Sequence, residues 1–101
     1  ISFITLFPYL KSGGLYFIED LHTSYWWWCG GSGSPQNPSA GSGTMIEFLK
    51  SLIDDVNFVG ARTMKASHNQ DLNHIKDELD YCKEHILGLH FYDSLCVVIK
   101  R

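Results

Sequence analysis

The chain has 101 residues, 45% of them hydrophobic, which fits one small domain or part of a larger one. Its formal net charge of -3 gives no broad basic surface, so binding to nucleic acid or to an anionic membrane has little electrostatic support. The apolar runs are far shorter than the roughly 20 residues of a membrane-spanning helix, and the cysteines show no CxxC pairing. We therefore expect a soluble, cytoplasmic protein with no nucleic-acid or membrane partner.

The first ten residues carry apolar side chains at helical spacing, which predicts a short amphipathic helix that Pro8 bends or ends. Because Ile1 is not an initiator methionine and the helical pattern has already begun, we expect the chain to start inside a domain. Turn residues follow the helix, and the continuous apolar run Leu15–Ile18 then predicts a strand buried on both faces.

Two acidic residues, Glu19 and Asp20, directly follow this strand, and residues 25–28 add a tyrosine and three tryptophans. Ligands of an open α/β sheet bind beyond the carboxyl ends of the strands, so a site is expected here. Adjacent residues of a regular strand point to opposite faces, so both carboxylates can bind one ion only if the chain turns at Asp20. Alternatively, the acidic pair caps a helix or faces water.

Residues 30–43 are dominated by Gly, Ser and Pro, which account for eleven of the fourteen positions. Such a composition buries too little apolar surface to offset the entropy of ordering, so we expect a flexible loop. It reads either as a linker or as an active-site lid, and the aromatic residues before it favour the lid.

The strongest predicted helix begins at Thr44, which forms a capping-box pattern with Glu47, and an apolar stripe continues to Val56. Gly60 is expected to close it. A shorter helix is predicted from the apolar residues at 72, 75 and 79, and residues 85–92 and 95–100 predict an antiparallel hairpin. The order of elements indicates an α/β fold that ends in a hairpin.

Three segments together resemble a known family. Residues 6–26 (LFPYLKSGGLYFIEDLHTSYW) are similar to the fifth strand and its flanks in metal-dependent class I methyltransferases that use S-adenosylmethionine. The resemblance is greatest to macrolide-sugar O-methyltransferases of the mycinamicin type. It continues through residues 44–57 (TMIEFLKSLIDDVN) and 90–100 (HFYDSLCVVIK), and it leaves out residues 30–43 and 58–88.

The resemblance implies a Rossmann-like sheet of seven strands, with the last strand antiparallel and inserted between the fifth and sixth. Residues 1–101 would then be the C-terminal portion of a single domain and hold those final three strands. The N-terminal half, with the glycine-containing loop that binds S-adenosylmethionine, would be missing, and no such glycine motif occurs here.

The resemblance also implies methyl transfer to a hydroxyl of a sugar or glycosylated metabolite, assisted by Mg²⁺. Glu19 and Asp20 match a metal-binding carboxylate pair, and a hard cation prefers oxygen ligands. Tyr25 and Trp26 are expected to pack against the acceptor sugar. The remaining acidic ligand and the histidine base of the family would precede residue 1, so the isolated chain is expected to be inactive, and a homo-oligomer is compatible with the resemblance.

Simpler structural explanations compete at several positions. His22 is a candidate base or ligand, yet a lone loop histidine is more often a hydrogen-bonding surface residue. Only Trp26 of the three tryptophans matches the family pattern, so Trp27 and Trp28 are equally compatible with ordinary packing. Asp54 and Asp55 are expected on a solvated helix face. A set of His and Cys residues has spacings that fit no zinc motif: His68, His74, Cys82 and His85.

Two non-catalytic functions compete with the enzyme. One is a carbohydrate-binding module whose aromatic loop grips a sugar, and the other is a degenerate methyltransferase half that serves oligomer assembly. An upstream strand-loop-helix with glycines favours the enzyme, and metal binding argues against a purely assembling role.

Overall fold

The computed structural model describes residues 2–65 and 72–101. In chain order it contains helix α1 (Ser2–Leu6), strands β1 (Leu15–Ile18), β2 (Ser32–Gly33) and β3 (Pro38–Ser39), helices α2 (Met45–Thr63) and α3 (Tyr81–His85), and strands β4 (Ile86–Tyr92) and β5 (Leu95–Lys100). Short 3-10 helices cover Phe7–Tyr9, Leu21–Tyr25, Trp27–Cys29 and Asn73–Glu78. No helix in the described part of the chain is long and apolar enough to cross a membrane.

The main sheet places the last strand of the chain in its centre. Its order is β1-β5-β4, and β5 runs antiparallel to both neighbours. Strands β4 and β5 form the hairpin predicted from the sequence, whose turn at Asp93 and Ser94 is supported by a 2.9 Å hydrogen bond from Ser94 Oγ to the Asp93 carboxylate. A final antiparallel strand between two strands that share a direction is the arrangement that the resemblance implied.

The first helical segment changes from an α-helix to a 3-10 helix around Pro8. Helix α1 ends at Leu6 and continues as the 3-10 turn Phe7–Tyr9, as predicted from a proline that lacks an N–H donor. Phe3 and Phe7 are buried and stack with their ring centroids 4.8 Å apart. The ammonium of Lys100, at the end of β5, donates to the carbonyl oxygens of Phe7 (3.3 Å), Pro8 (3.0 Å) and Leu10 (2.8 Å). A buried lysine therefore ties this segment to the sheet.

Helix α2 begins where the capping pattern predicted. Thr44 Oγ1 accepts a hydrogen bond from the backbone N–H of Glu47 (3.4 Å) and donates one to the Gly41 carbonyl (2.7 Å). The predicted end at Gly60 is wrong, because the helix continues to Thr63 and Met64 takes the left-handed conformation with φ 61°. Burial of the adjacent Val59 outweighs the weak helix propensity of glycine.

The segment that follows is less regular than predicted. The helix expected through residues 72–79 is a 3-10 helix, Asn73–Glu78, in which Ile75 is buried. Helix α3 was not predicted, because five residues are too few to show a helical period. It begins after Asp80, whose carboxylate accepts a 2.9 Å hydrogen bond from the Lys83 backbone N–H. His68 lies outside the described residues.

One face of the main sheet holds the core and the other is open. Cys96 and Val98 of β5 are fully buried in a cluster with residues of α1 and α2. On the opposite face of β1, Leu15 is 50% exposed and Phe17 is 57% exposed. The prediction that Leu15–Ile18 is buried on both faces is therefore wrong for this chain, because β1 is an edge strand and the core of the described residues covers only one of its faces.

Replacing Thr44 tests the start of α2. Thr44→Ala is expected to lower the free energy of unfolding by about 1–2 kcal/mol, because the Glu47 N–H loses its acceptor and the buried Gly41 carbonyl loses the shorter of its two hydrogen bonds. Urea denaturation followed by circular dichroism measures the change. Thr44→Ser keeps the hydroxyl and serves as the control; equal stability of Thr44→Ala and the parent chain would contradict this role of the cap.

Candidate functional site

The chain turns sharply directly after β1. Asp20 takes the left-handed conformation, with φ 59° and ψ 33°, a region in which Asp and Asn are tolerated better than most residues other than glycine. Its carbonyl oxygen accepts hydrogen bonds from the backbone N–H (3.3 Å) and the hydroxyl (3.0 Å) of Thr23. The regular alternation of the strand therefore stops at Ile18, and the turn that one shared ion requires is present. The side chains of Glu19 and Asp20 are both exposed.

These two carboxylates supply only part of a cation site. Across residues 2–65 and 72–101, no group of three or more His, Cys, Asp or Glu residues is arranged to hold a metal ion. Magnesium is usually held by one or two carboxylates together with water and substrate oxygens. The oxygen donors of the pair therefore suit Mg²⁺, but two carboxylates alone do not complete a site for it.

The 3-10 helix Leu21–Tyr25 is fixed to both the sheet and α2. The backbone N–H of Leu21 donates to the Ser94 carbonyl in the β4–β5 turn (3.0 Å), and the Leu21 side chain is buried. Ser24 is also buried, and its hydroxyl accepts a 3.5 Å hydrogen bond from the N–H of Ile46 in the first turn of α2. These contacts fix the direction in which the backbone leaves the turn at Glu19 and Asp20.

His22 lies against Trp26, with ring centroids 5.1 Å apart and ring planes at 71°. Its Nδ1 atom is shielded from solvent and has no hydrogen-bond partner among the described residues. Buried polar atoms without partners are uncommon, so the orientation of this ring is held by packing. His22 is thus partly buried against Trp26, and its role stays a prediction.

The tryptophans form an exposed cluster of their own. Trp26 and Trp28 stack with centroids 5.0 Å apart, and Trp27 meets Trp28 edge-on at 5.7 Å. Trp27 is 78% exposed and Trp28 is 62% exposed. Ordinary packing therefore does not account for them within the described residues. The cluster begins at Trp26, which lies beside His22, and extends to Trp27 and Trp28.

Two cavities flank this region. The first, of about 450 Å³, lies between the 3-10 helix Leu21–Tyr25, helix α2 and the β4–β5 turn, and its lining includes Lys50 and Phe91. The second, of about 510 Å³, is bounded by the three tryptophans and by residues of the β2–β3 hairpin. His22 and Tyr25 line both cavities, so the two spaces are neighbours. Glu19 and Asp20 line neither of them.

The Gly/Ser/Pro-rich segment follows a defined path beside the tryptophans. Strands β2 and β3 pair antiparallel, and the N–H of Gly31 donates to the Trp26 carbonyl (2.8 Å). A Cβ atom at Gly31 would collide with the carbonyl group of Tyr25, and one at Gly41 would collide with the carbonyl of Gly30. Glycine is therefore required where the two ends of the hairpin approach the rest of the chain. The mobility expected of residues 30–43 stays a prediction.

The remaining titratable residues considered in the sequence analysis that the structure describes, and the buried Cys96, lie outside the candidate site. His74, Cys82 and His85 belong to no metal-binding group within the described residues. Asp55 is half-buried rather than solvated as predicted, and its burial together with the nearby charge of Asp80 raises the pKa of its carboxyl. Burial likewise raises the pKa of the Cys96 thiol to about 11, so this thiol stays protonated in the core.

Sequence comparisons identify relatives with named activities, although no protein-family profile matches the chain. Mycinamicin VI 2''-O-methyltransferase from Micromonospora griseorubida is 37% identical over 99 residues, which cover 98% of this chain and 22% of the relative. Demethylmacrocin O-methyltransferase from Streptomyces fradiae is 33% identical over 99 residues, with the same coverage of 98% and 22%. The chain therefore spans about a fifth of the length of these relatives.

Solved structures give a consistent result. The MycE methyltransferase of the mycinamycin biosynthetic pathway, in complex with Mg and SAH, matches 98% of this chain and 22% of its own chain at 37% identity, with a TM-score of 0.67. A complex of MycE with Mg, SAH and mycinamycin VI also gives a TM-score of 0.67, over 98% of this chain and 21% of its own. Along nearly its whole length, this chain is thus homologous to a portion of the macrolide-sugar O-methyltransferases.

Proposed function

We propose that this chain is the C-terminal portion of an S-adenosylmethionine-dependent O-methyltransferase that requires a divalent metal and acts on a hydroxyl of a sugar or glycosylated metabolite. The observation that carries the proposal is the left-handed turn at Asp20, which sets two neighbouring carboxylates at the carboxyl end of β1. The position agrees with the rule that ligands of α/β sheets bind beyond the ends of the strands. Homology to sugar O-methyltransferases supports the type of reaction.

Glu19 and Asp20 would hold the divalent cation, which we propose to be Mg²⁺. When bound, such a cation lowers the pKa of a hydroxyl that coordinates it and so makes an alcohol a better nucleophile. The chain's own part in this chemistry is to present the two carboxylates on a backbone turn that Thr23 stabilises. The 3-10 helix Leu21–Tyr25 follows this turn and is hydrogen-bonded to the β4–β5 turn and to α2. These bonds hold the turn at Asp20 in place relative to the sheet.

Tyr25 and Trp26 are the residues that we assign to the acceptor sugar. Both are partly exposed, both line the 510 Å³ cavity, and both follow the acidic pair within six residues of the chain. Aromatic faces attract the C–H bonds of a sugar ring, and the tyrosine hydroxyl can also form a hydrogen bond. His22 is the candidate base within this chain, although the family resemblance assigns that role to a residue outside it.

The open sheet face supports the view that the chain is part of a larger domain. Leu15 and Phe17 are apolar and about half-exposed, and β1 has a hydrogen-bonded neighbour on one edge only among the described strands. Contiguous exposed apolar surface usually marks an interface. Because the chain spans about a fifth of the length of its relatives, we assign S-adenosylmethionine binding to the remaining part of the enzyme.

Paramagnetic Mn²⁺ tests the metal assignment directly on this chain. Because a partial site binds weakly, the sensitive measurement is broadening of backbone amide signals in NMR spectra at low Mn²⁺ concentration. We expect the signals around Glu19 and Asp20 to broaden first, and the double variant Glu19→Gln/Asp20→Asn to lose this selectivity. Mg²⁺ added in excess is expected to reverse the effect, since both cations prefer oxygen ligands.

Asp93 provides the matched control, because it is an exposed carboxylate at another turn of the same sheet. Asp93→Asn is expected to leave the broadening around the acidic pair unchanged. Broadening that is spread evenly over all exposed carboxylates, or that survives in the double variant, would overturn the metal assignment.

A non-catalytic carbohydrate-binding module is the second candidate function, and the exposed tryptophan cluster favours it. Such a module would bind sugars through Trp26, Trp27 and Trp28. Divalent cations would then not bind selectively at Glu19 and Asp20. Glycoside binding without selective Mn²⁺ broadening would therefore favour the module over the enzyme.

A further inference from the structure

Trp27 and Trp28 extend the aromatic surface beyond Tyr25 and Trp26, the residues proposed for the acceptor, and all four line one cavity. The stacked pair Trp26–Trp28 presents an indole face, and Trp27 stands nearly perpendicular to it at 84°. Two large aromatic side chains with exposures of 78% and 62% are costly to leave in water. Because the ring planes of Trp27 and Trp28 are nearly perpendicular, the two side chains form a corner rather than a flat patch.

The β2–β3 hairpin closes this corner into a cleft. Ser32, Ser34 and Pro35 of this segment line the same cavity as the indoles. The hairpin turn is closed by hydrogen bonds in both directions between the backbones of Ser34 and Asn37, each 3.1 Å long. The close approaches at Gly31 and Gly41 fix where the hairpin sits. The enclosed volume of about 510 Å³ lies in the ordinary range for small-molecule sites.

The chemistry of the lining selects a neutral ligand with both apolar and hydroxyl-bearing surfaces. The residues that line the cleft carry no Asp, Glu, Lys or Arg, so an ionised ligand would lose hydration without gaining a counter-charge. Indole faces carry negative charge density and attract the C–H groups of a saturated ring. The hydroxyls of Ser32 and Ser34 can donate to and accept from ligand hydroxyls. A pyranose ring combines these properties.

We propose that Trp27, Trp28 and the β2–β3 hairpin form a second ring-binding site, which takes a neutral pyranose ring other than the one that is methylated. The site adjoins the proposed acceptor contact because Tyr25 and Trp26 line the same cleft as Trp27 and Trp28. This inference rests on the proposed function for the identity of the methylated ring, and it extends the specificity of the site to the rest of the glycoside.

The indole N–H signals of the chain provide a specific test, because all three tryptophans belong to the cluster. Titration with methyl β-maltoside, a neutral two-ring glycoside, is expected to shift the indole N–H signals of Trp27 and Trp28 in a saturable way. Trp28→Ala is expected to raise the dissociation constant about tenfold, and Trp28→Phe to raise it less, because an aromatic face remains. Tyr9→Ala removes an exposed aromatic ring outside the cleft and is expected to change nothing.

Two further ligands decide whether the cleft recognises a sugar. Methyl β-glucuronide carries a carboxylate and is expected to bind more weakly than the neutral glycoside, whereas cyclohexanol tests for simple apolar binding. An absence of saturable shifts with the maltoside, equal binding of cyclohexanol, or unchanged affinity in folded Trp28→Ala would each overturn the proposal. The Mn²⁺ measurement is independent of these results, so failure of the second ring site and failure of the metal assignment are distinguishable.

Discussion

Asp20→Asn is expected to lower kcat/KM for methyl transfer by about 100-fold or more, because it removes a proposed ligand of the activating cation. The experiment uses a chimera in which this chain replaces the matching 99 residues of the mycinamicin VI 2''-O-methyltransferase. Asn is the suitable replacement because it tolerates the left-handed conformation of Asp20, with φ 59°. The backbone turn is thereby preserved while the charge is removed, and transfer of labelled methyl to mycinamicin VI measures the loss.

Asp54→Asn is the matched control, because Asp54 is an exposed carboxylate on α2. It is expected to retain the activity of the parent chimera. Binding of SAH, measured by calorimetry, shows whether each chimera is folded. A folded Asp20→Asn chimera with the activity of the Asp54→Asn control would contradict the assignment of Asp20.

Lys100→Met is expected to lower the free energy of unfolding of the chain by about 2–4 kcal/mol. The Lys100 side chain is nearly inaccessible, and its ammonium is the donor to three carbonyl oxygens at the end of the first helical segment. Methionine keeps the apolar stem but supplies no donor, so the oxygens of Phe7, Pro8 and Leu10 lose a charged partner. Urea denaturation measures the difference.

Lys50→Met separates this effect from a general loss of positive charge. Lys50 is an exposed lysine, with a side chain 56% accessible, that pairs with Glu47 on the surface of α2. Its removal is expected to leave the stability essentially unchanged, as is usual for surface ion pairs. If the two lysine variants are equally stable, the three carbonyl contacts do not hold the helical segment to the sheet.

Local signals were sufficient to predict several elements. The start of α2 follows from Thr44 and Glu47, because a cap depends on residues three positions apart. The strand Leu15–Ile18 and the β4–β5 hairpin follow from short apolar runs that flank turn residues. Each of these signals is contained in a few consecutive residues.

Features that depend on distant parts of the chain were not predicted. Gly60 does not end α2, because burial of Val59 prolongs it. Lysine is normally a surface residue, so nothing in the sequence marks Lys100 as the buried partner of residues near the other end of the chain. The exposed face of β1 depends on which elements cover the sheet, and an apolar run carries no information on that.

In the candidate site too, features set by neighbouring residues were predicted and features set by distant residues were not. The sequence singled out Glu19 and Asp20 as a candidate pair that needs a turn at Asp20, and the left-handed Asp20 provides such a turn. Metal binding by the pair stays a prediction. The cleft at Trp27 and Trp28 was not predicted, because part of its lining comes from a segment whose composition indicated only a flexible loop. Contacts at Gly31 and Gly41 that set the position of this segment are tertiary, and glycine-rich sequence does not distinguish them from a linker.

The central position of β5 sets the order in which the fold can assemble. Neither β1 nor β4 has its sheet neighbour until the final strand has been synthesised, since Leu15 pairs with Ile99 and Leu89 pairs with Val98. The sheet of the described residues can therefore close only after β5 has left the ribosome. Contacts between sequence-distant residues also slow folding. Until β5 emerges, the apolar strands β1 and β4 keep unpaired edges, and such edges promote aggregation of incompletely folded chains.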